Sequence, residues 1–526
     1  MTHRSSRRPT SFPVATLVQA LSGLLVLSLH AQVRAQEVGP AGDLVEVETP
    51  VAPPPAIWVT PRISVSQGFS NNGDLSTQNR QNEQITEISP GIGVVVNKPR
   101  LKGFFDYSLR GIYDARNTVQ DNIQQSLNTN GTFEAWDNRA FIDFSGIIGQ
   151  QAISAFESPS IDALGNDNLS ETSSFRFSPY LRGSLMGSVD YELRYAYQTT
   201  RTDTRLRSDI SSEEGLARLS RQVTGQSLGW TLEAGRTQLD YSFGQRQTMD
   251  AVNGRLFYAL NPTLTLSALL GVESNDLLTP DMKSYRSTGL GVEWRPSDRT
   301  RVFAERSNRY FGNGHNVEVE YRSRRAIWRY VDTRDVVTSQ LDAAGASQGS
   351  LYGLIDALSN EPDPVRRAQQ VNAELQRLGL PADFQLNPGF LTSSASVQRL
   401  QELSLGLFGP RDAFVVAVAR NTGRRLNPVI TLSDDFNIAS DIVEKAWRVT
   451  YAHRLTRLTS ANVSFTRQTN EGINTSFSNT LKTLTFGVST RLAARTSGSV
   501  QLRRSLYSGT FPYKETAILG VVTHRF

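Results

Sequence analysis

The chain has 526 residues, 55 basic and 50 acidic, and no cysteine, which excludes disulfides, thiolate metal sites and thiol catalysis. Its formal charge of +5 looks basic, but Arg4, Arg7, Arg8 and Arg34 fall in a leader; without them 51 basic residues face 50 acidic ones, so no nucleic-acid partner is implied. A mean hydropathy of −0.34 fits a soluble protein, and equally a membrane β-barrel whose strands alternate apolar and polar side chains.

Residues 1–35 read as a secretory signal. Arg4, Arg7 and Arg8 precede an apolar stretch over 14–29, and Val33-Arg34-Ala35 places a small residue before Gln36. The expected cleavage is between Ala35 and Gln36, and the stretch is short for a membrane anchor. Residues 36–56, with Pro53-Pro54-Pro55, read as a periplasmic linker. Beyond the leader no run of 18 apolar residues occurs, so no transmembrane helix is expected.

From Trp58 onward one unit recurs: an alternating segment of about ten residues, a tight polar turn, then another such segment. The first part of the barrel, 57–331, holds expected strands at 57–69, 84–97, 102–115, 123–136, 139–150, 172–182 and 186–199. Further strands are expected at 223–234 and 237–247 around a turn at Gly235, then at 250–261, 264–274, 284–295, 300–311 and 316–331. Short turns alternate with longer polar connections at 71–82, 152–171, 201–222 and 275–283. That asymmetry is the pattern of an outer-membrane barrel with periplasmic turns and extracellular loops.

Over 332–410 the apolar period changes from two to about 3.6. Leu351, Leu354, Ile355 and Leu358 share one helical face. A second expected helix, capped by Asp363 and ended by Gly379 and Pro381, carries Val365, Ala368, Val371, Leu375 and Leu378. A third, over 394–408, carries Val397, Leu400, Leu403 and Leu407. Strand parity places this helical insert at the periplasmic mouth, either as a cap or as a plug entering the lumen.

The closing part, 411–526, holds expected strands at 413–423, 443–456, 459–468, 479–492, 498–508 and 514–526. The total is about 20, an even number, which returns both termini to the periplasm. Ile518, Gly520, Val522, His524 and Phe526 fall on one face. A closing strand ending in Phe resembles the carboxy-terminal signal read by the outer-membrane assembly machinery, with His524 where an aromatic is usual. Its expected partner is the first strand. Closure matters because lipid offers no partner to an unpaired strand edge.

Four stretches also resemble a known family: FIDFSGIIGQQAISAF at 141–156, LGLP at 378–381, GFLTSSASVQRLQ at 389–401 and LFGPRDAFVVAVARN at 407–421. They are similar to outer-membrane β-barrel proteins associated with the PEP-CTERM/exosortase system. The resemblance covers most of 58–526. It implies a barrel linked to exopolysaccharide production or export, or to surface-protein sorting, with exopolysaccharide or export-machinery proteins as partners besides the outer-membrane lipid. No catalytic residue carries over from it.

No chemistry is legible in the residues themselves. Beyond the leader only His315, His453 and His524 remain, without metal-ligand spacing, so no catalytic, cofactor-binding or metal residue is expected. The basic residues comprise 49 Arg and six Lys. Arg194, Arg246, Arg301, Arg306, Arg322, Arg454, Arg491 and Arg503 lie in expected strands. A lipid-facing charge costs about 2–4 kcal/mol at the midplane, so these arginines should face the lumen or lie near the interfaces, beside Asp106, Asp143, Glu192, Glu233, Asp240, Glu293 and Glu305. Two arrangements suit them: a salt-bridged luminal network, or a ladder passing acidic polysaccharide. The expected function is thus an outer-membrane channel or scaffold in exopolysaccharide export. The alternatives are a general porin-like or structural barrel, and a soluble periplasmic glycan-binding β-sandwich.

Overall fold

The computed structural model describes residues 56–114, 122–160, 166–204, 208–222, 228–242, 246–338, 389–392, 394–426 and 434–526, with 355–356, 367, 370–371 and 373–375 in between. The signal segment, its Ala35–Gln36 junction and the linker up to residue 55 lie outside the described residues.

Twenty-two antiparallel strands form one sheet. The first seven are β1 (Ile57–Ser70), β2 (Glu83–Asn97), β3 (Leu101–Asp114), β4 (Asn122–Trp136), β5 (Ala140–Ala152), β6 (Leu169–Leu185) and β7 (Val189–Thr202). Next come β8 (Ile210–Arg221), β9 (Leu228–Tyr241), β10 (Gln247–Asn261), β11 (Leu264–Asn275), β12 (Lys283–Ser297), β13 (Thr300–Arg309), β14 (Gly312–Arg322) and β15 (Ala326–Val337). Then follow β16 (Ser396–Phe408), β17 (Asp412–Arg425), β18 (Asp441–Arg454), β19 (Thr459–Gly472), β20 (Ser478–Ala493), β21 (Thr496–Ser508) and β22 (Tyr513–Arg525). One short helix, α1 (Asp435–Ile438), precedes β18.

Each strand pairs with its chain neighbours, and β1 also pairs with β22, from Arg62↔Arg525 to Ser70↔Ala517. The seam is stitched beyond the ladder. Ser64 Oγ lies 2.9 Å from Thr523 Oγ1, and the Phe526 amide donates to the Pro61 carbonyl at 3.0 Å. The sheet is a closed barrel, which rules out two stacked open sheets and hence the soluble sandwich.

Alternation explains the two faces. In β17, Phe414, Val416 and Val418 point outward while Ala413, Ala417 and Ala419 are buried inward. In β22 the expected row is the outward one: Ile518, Val522 and Phe526 are exposed. An apolar outer band closed by hydrogen bonds all round is the pattern of a membrane-spanning barrel. Trp136 and Trp294 are exposed near the strand ends on the termini's side, as an interfacial girdle requires. Among the described residues no helix is long and apolar enough to cross a membrane.

The end bearing both termini, here the near end, has connections of two to six residues; those of the far end run up to 338–395. Near-end turns use the expected devices. Met186 and Gly187 both have positive φ (50° and 70°), as the central positions of a type I′ β-turn demand, and the Ser188 amide closes that turn on the Leu185 carbonyl at 3.2 Å. Register shifts at Glu134/Trp136, Ala259/Asn261, Trp294/Ser297 and Arg491/Ala493 place bulges along the same rim.

The strand count is 22, not about 20, for four local reasons. β8 lies within the expected polar connection 201–222, because its outward face (Ser211, Glu213, Gly215, Ala217) shows little apolar alternation. The expected pair 223–234 and 237–247 is the single strand β9, and Gly235 sits in mid-strand opposite Ala251. The expected strand 316–331 is β14 and β15, joined at 323–325 by a turn without Gly, Pro, Asn or Asp. The expected helix over 394–408 is β16, in which Leu403 and Leu407 point outward and Leu400 inward. Its leucines satisfy both periods, and pairing with β15 and β17 decides between them.

These corrections move the insert. It spans 338–395 rather than 332–410, and the unrecognised turn at 323–325 adds β15, which carries the chain back to the far end before the insert. The insert therefore leaves from the far end, opposite the termini, not from the near mouth.

Candidate functional site

A 22-stranded barrel is too wide for wall side chains to fill. Here a segment of the insert enters it. Ile355, Val371 and Leu375, all in helical conformation, are 5%, 1% and 1% exposed and pack with Ile327, Ala413, Val415 and Ala452, with Phe408 alongside. Ile327 and Ala413 are second in β15 and β17, and Ala452 is third from the end of β18. The described insert residues Ile355, Val371 and Leu375 thus pack against inward side chains close to the near end of the wall. Among the described residues, that is the position of a plug. The wall makes room with small inward residues, among them Ser404, Gly406, Ala417, Ala419 and Ala446. Burying each large aliphatic side chain contributes about 1.5–3 kcal/mol. Asp356 and Arg367 form an ion pair at 3.1 Å. Leu351, Leu354, Leu358 and Leu378 lie outside the described residues, whereas Leu400, Leu403 and Leu407 belong to the barrel wall.

Far-end loops cross the mouth. The β5–β6 connection reaches the other side: Asn470 of β19 and Asn479 of β20 both donate to the Ala155 carbonyl, at 2.7 and 2.8 Å. Tyr513 of β22 pairs with Ser158 at 2.8 Å. The α1 segment anchors this strap. Asp435 accepts from the Ala155 amide (2.6 Å) and the Ser154 hydroxyl (3.1 Å). Asp434 caps α1 and accepts from Thr392 and Ser394, at 2.8 and 3.2 Å. Both carboxylates are 3% exposed. Phe156, Phe436, Ala439 and Ile442 bury the apolar underside of the junction. Buried carboxylates satisfied by several donors fix one loop arrangement.

The luminal wall has two chemistries. From β1 to β14 most inward charges are paired: Arg62–Asp106 at 2.6 Å, Arg110–Glu87 at 2.5 Å, Arg176–Glu214 at 2.8 Å, Arg218–Glu233 at 2.6 Å and Arg255–Glu305 at 2.7 Å. Arg194 bridges Asp143 and Glu192, at 2.9 and 2.8 Å, and lies 3.9 Å over the Tyr180 ring. Arg301 reaches Glu293 at 3.2 Å, and Glu318 also holds Arg329. This side matches the salt-bridged network.

From β18 to β22 the wall changes. A cavity of about 860 Å³ is lined by Arg448, Arg457, Arg491, Arg495, Arg503 and Arg525. Between them stand rows of hydroxyl and amide side chains, such as Ser460, Asn462, Ser464, Thr466 and Gln468 along β19. No carboxylate occurs among its described lining residues. Ser160 of the strap borders it, and Ala373 of the plug lines it from inside. The groove therefore runs between plug and wall. Arg503 is also tied to Glu515 at 3.1 Å, a pair whose side chains are 13% and 4% exposed.

Six of the eight expected luminal arginines face inward by alternation: Arg194, Arg301, Arg322, Arg454, Arg491 and Arg503. The other two do not. Arg246 lies in the β9–β10 connection, paired at 2.6 Å with Asp240, whose hydrogen bond raises the Arg246 pKa above its ordinary value. Arg306 shares the outward face of β13 with Val302 and Ala304. Arg448, Arg457, Arg495 and Arg525 join the groove unforeseen; the period-two run of Ser, Asn and Thr in β19 to β21 was the signal. The histidines are separate: His315 binds Asp332 and His453 binds Asp412, each at 2.7 Å, and His524 lies 2.9 Å from Thr496. Among the described residues no group of three or more His, Asp or Glu could hold a metal ion.

No family model and no curated protein matches this chain. Among solved structures it is similar to the siderophore receptor PirA of Pseudomonas aeruginosa, at 9% identity and TM-score 0.45 over 89% of this chain and 80% of that one. It is similar to the FrpB iron transporter of Neisseria meningitidis (F3-3 variant), at 10% identity and TM-score 0.48 over 89% and 81%. It is also similar to the ferric-catecholate import receptor Fiu of E. coli K12, at 8% identity and TM-score 0.46 over 88% and 81%.

Proposed function

We propose that the chain is an outer-membrane channel for an anionic, hydroxyl-rich polymer, serving exopolysaccharide export in a PEP-CTERM/exosortase setting, with the 338–395 insert as its gate. The reading is passive and needs no catalytic step. One observation carries it: the β18–β22 groove, where six arginines and rows of hydroxyls occur with no carboxylate among the described lining residues. Guanidinium groups bind carboxylates and phosphates in a fixed fork geometry. Hydroxyl and amide rows exchange hydrogen bonds with sugar hydroxyls at little net cost. Graded, multiple weak contacts let a charged chain enter and leave. The plug and strap restrict this path in the resting state.

The porin-like alternative predicts a pore indifferent to polymer chemistry. The test is planar-bilayer conductance of the insert-deleted protein with a polyuronate or a neutral dextran of equal length added. The proposal expects block by the polyuronate at concentrations where dextran has no effect. Equal block by both polymers contradicts it and supports the porin.

A further inference from the structure

The outer face of the barrel is divided into two arcs just beyond the apolar band, on the far-end side. On β13 and on each of the five consecutive strands β17 to β21, the next outward residue past that band is a cation, whereas β14, β15 and β16 carry His315, Asp332 and Gln401 there. The cation is Arg306 after Ala304, Arg420 after Val418, Lys445 after Trp447, Arg467 after Phe465, Lys482 after Leu484 and Arg504 after Leu502. On the other arc, the equivalent positions of β1, β2, β5, β6, β7 and β22 are neutral: Gln67, Thr86, Gln150, Ser173, Thr199 and Thr516. On β8 to β10 they are Glu213, Arg236 and Asp250, the last two paired at 3.6 Å.

The cations are poorly compensated from within. Lys445 has Glu471 at 2.8 Å, but Arg306, Arg420, Arg467, Lys482 and Arg504 form no ion pair among the described residues, and all five are exposed. Two pairs stand directly opposite each other across the ladder, Arg420↔Lys445 and Arg467↔Lys482. Like charges in that position destabilise a sheet. A basic side chain at the edge of the apolar band is stabilised by anionic headgroups at the same depth.

We propose that this arc binds a phosphorylated glycolipid of the outer leaflet, with phosphates set between the opposed cations and acyl chains against the band below. The proposal rests on the outer-membrane reading, because only then does the far end face the outer leaflet. A second copy of the chain fits less well, since a two-fold contact would set cations against cations.

The test uses the full chain refolded into zwitterionic vesicles, with insertion read by heat-dependent gel mobility. Binding of a diphosphorylated lipid A and of its dephosphorylated form is then titrated by thermal unfolding. The proposal expects the phosphorylated form to bind at least tenfold tighter. A variant carrying R420Q, R467Q, K482Q and R504Q should lose that preference, and R201Q on the other arc should keep it. Equal binding of both lipids, or loss of preference in R201Q alone, overturns the proposal and leaves the channel reading standing. Failure of the wild-type chain to insert into any vesicle overturns the membrane reading and this proposal together. An oligomer that the quadruple variant dissolves, without lipid preference, overturns it in favour of a second copy.

Discussion

The two parts of the luminal wall, fourteen strands and five, belong to one sheet, yet they answer charge differently. On β1 to β14 most inward arginines meet a carboxylate on their own or a nearby strand, as Arg218 meets Glu233 and Arg255 meets Glu305, while Arg182 lies over the Phe141 ring. On β18 to β22 the arginines face a cavity bounded by hydroxyls. A paired wall is structural: its charges cancel and hold neighbouring strands in register. A groove whose described lining holds six arginines and no carboxylate presents a net positive surface to an anion from outside. The plug follows the same division, packing against the small-residue wall of β15 to β18 and leaving the arginine groove open along its flank.

The largest expected change comes from removing the plug. Val337 and Ser396 are paired at the base of the insert, so a short turn can replace 339–394 without disturbing the barrel. Single-channel conductance should rise severalfold, and L375D in the intact chain should move it part of the way. An unchanged conductance would mean that the insert does not obstruct the lumen. Next comes the one buried pair beside the groove. E515L leaves the Arg503 charge buried and unpaired, and the expected loss is about 3–5 kcal/mol in a urea titration of the refolded barrel. The smallest effect belongs to the paired wall. Arg176 and Glu214 are about one-third exposed, and E214Q should cost only about 0–1 kcal/mol. If E214Q were the more damaging of the two, the division between structural and open walls would be wrong.

Much of the barrel was legible because lipid imposes a simple rule: strands with period-two patterning and tight turns must close on themselves. Phe526 finds its partner at Pro61 for that reason. What stayed hidden was local. Ser323-Arg324-Arg325 turns without Gly, Pro, Asn or Asp, closed by the Ser323 hydroxyl on the Ala326 backbone, and β16 carries leucines compatible with a helix. Those two ambiguities together hid two strands and placed the insert at the wrong end. The groove was only half visible. Arg491 and Arg503 could be placed inward by alternation, but Arg457 and Arg495 lie in near-end turns and join it through the fold alone. Arg306 was misplaced because a charge at the rim of the lipid band costs little, so burial gave no reason to turn it inward.

The central claim is that the β18–β22 groove, with six arginines and no carboxylate among its described lining residues, presents net positive charge to what passes. Its most direct test is the reversal potential of the insert-deleted barrel under a potassium chloride gradient, beside the same protein carrying R491Q, R495Q and R525Q. The account predicts clear anion preference in the first and its loss in the second, with the folded barrel intact in both. A pore that is unselective or cation-preferring before the arginines are touched would contradict it.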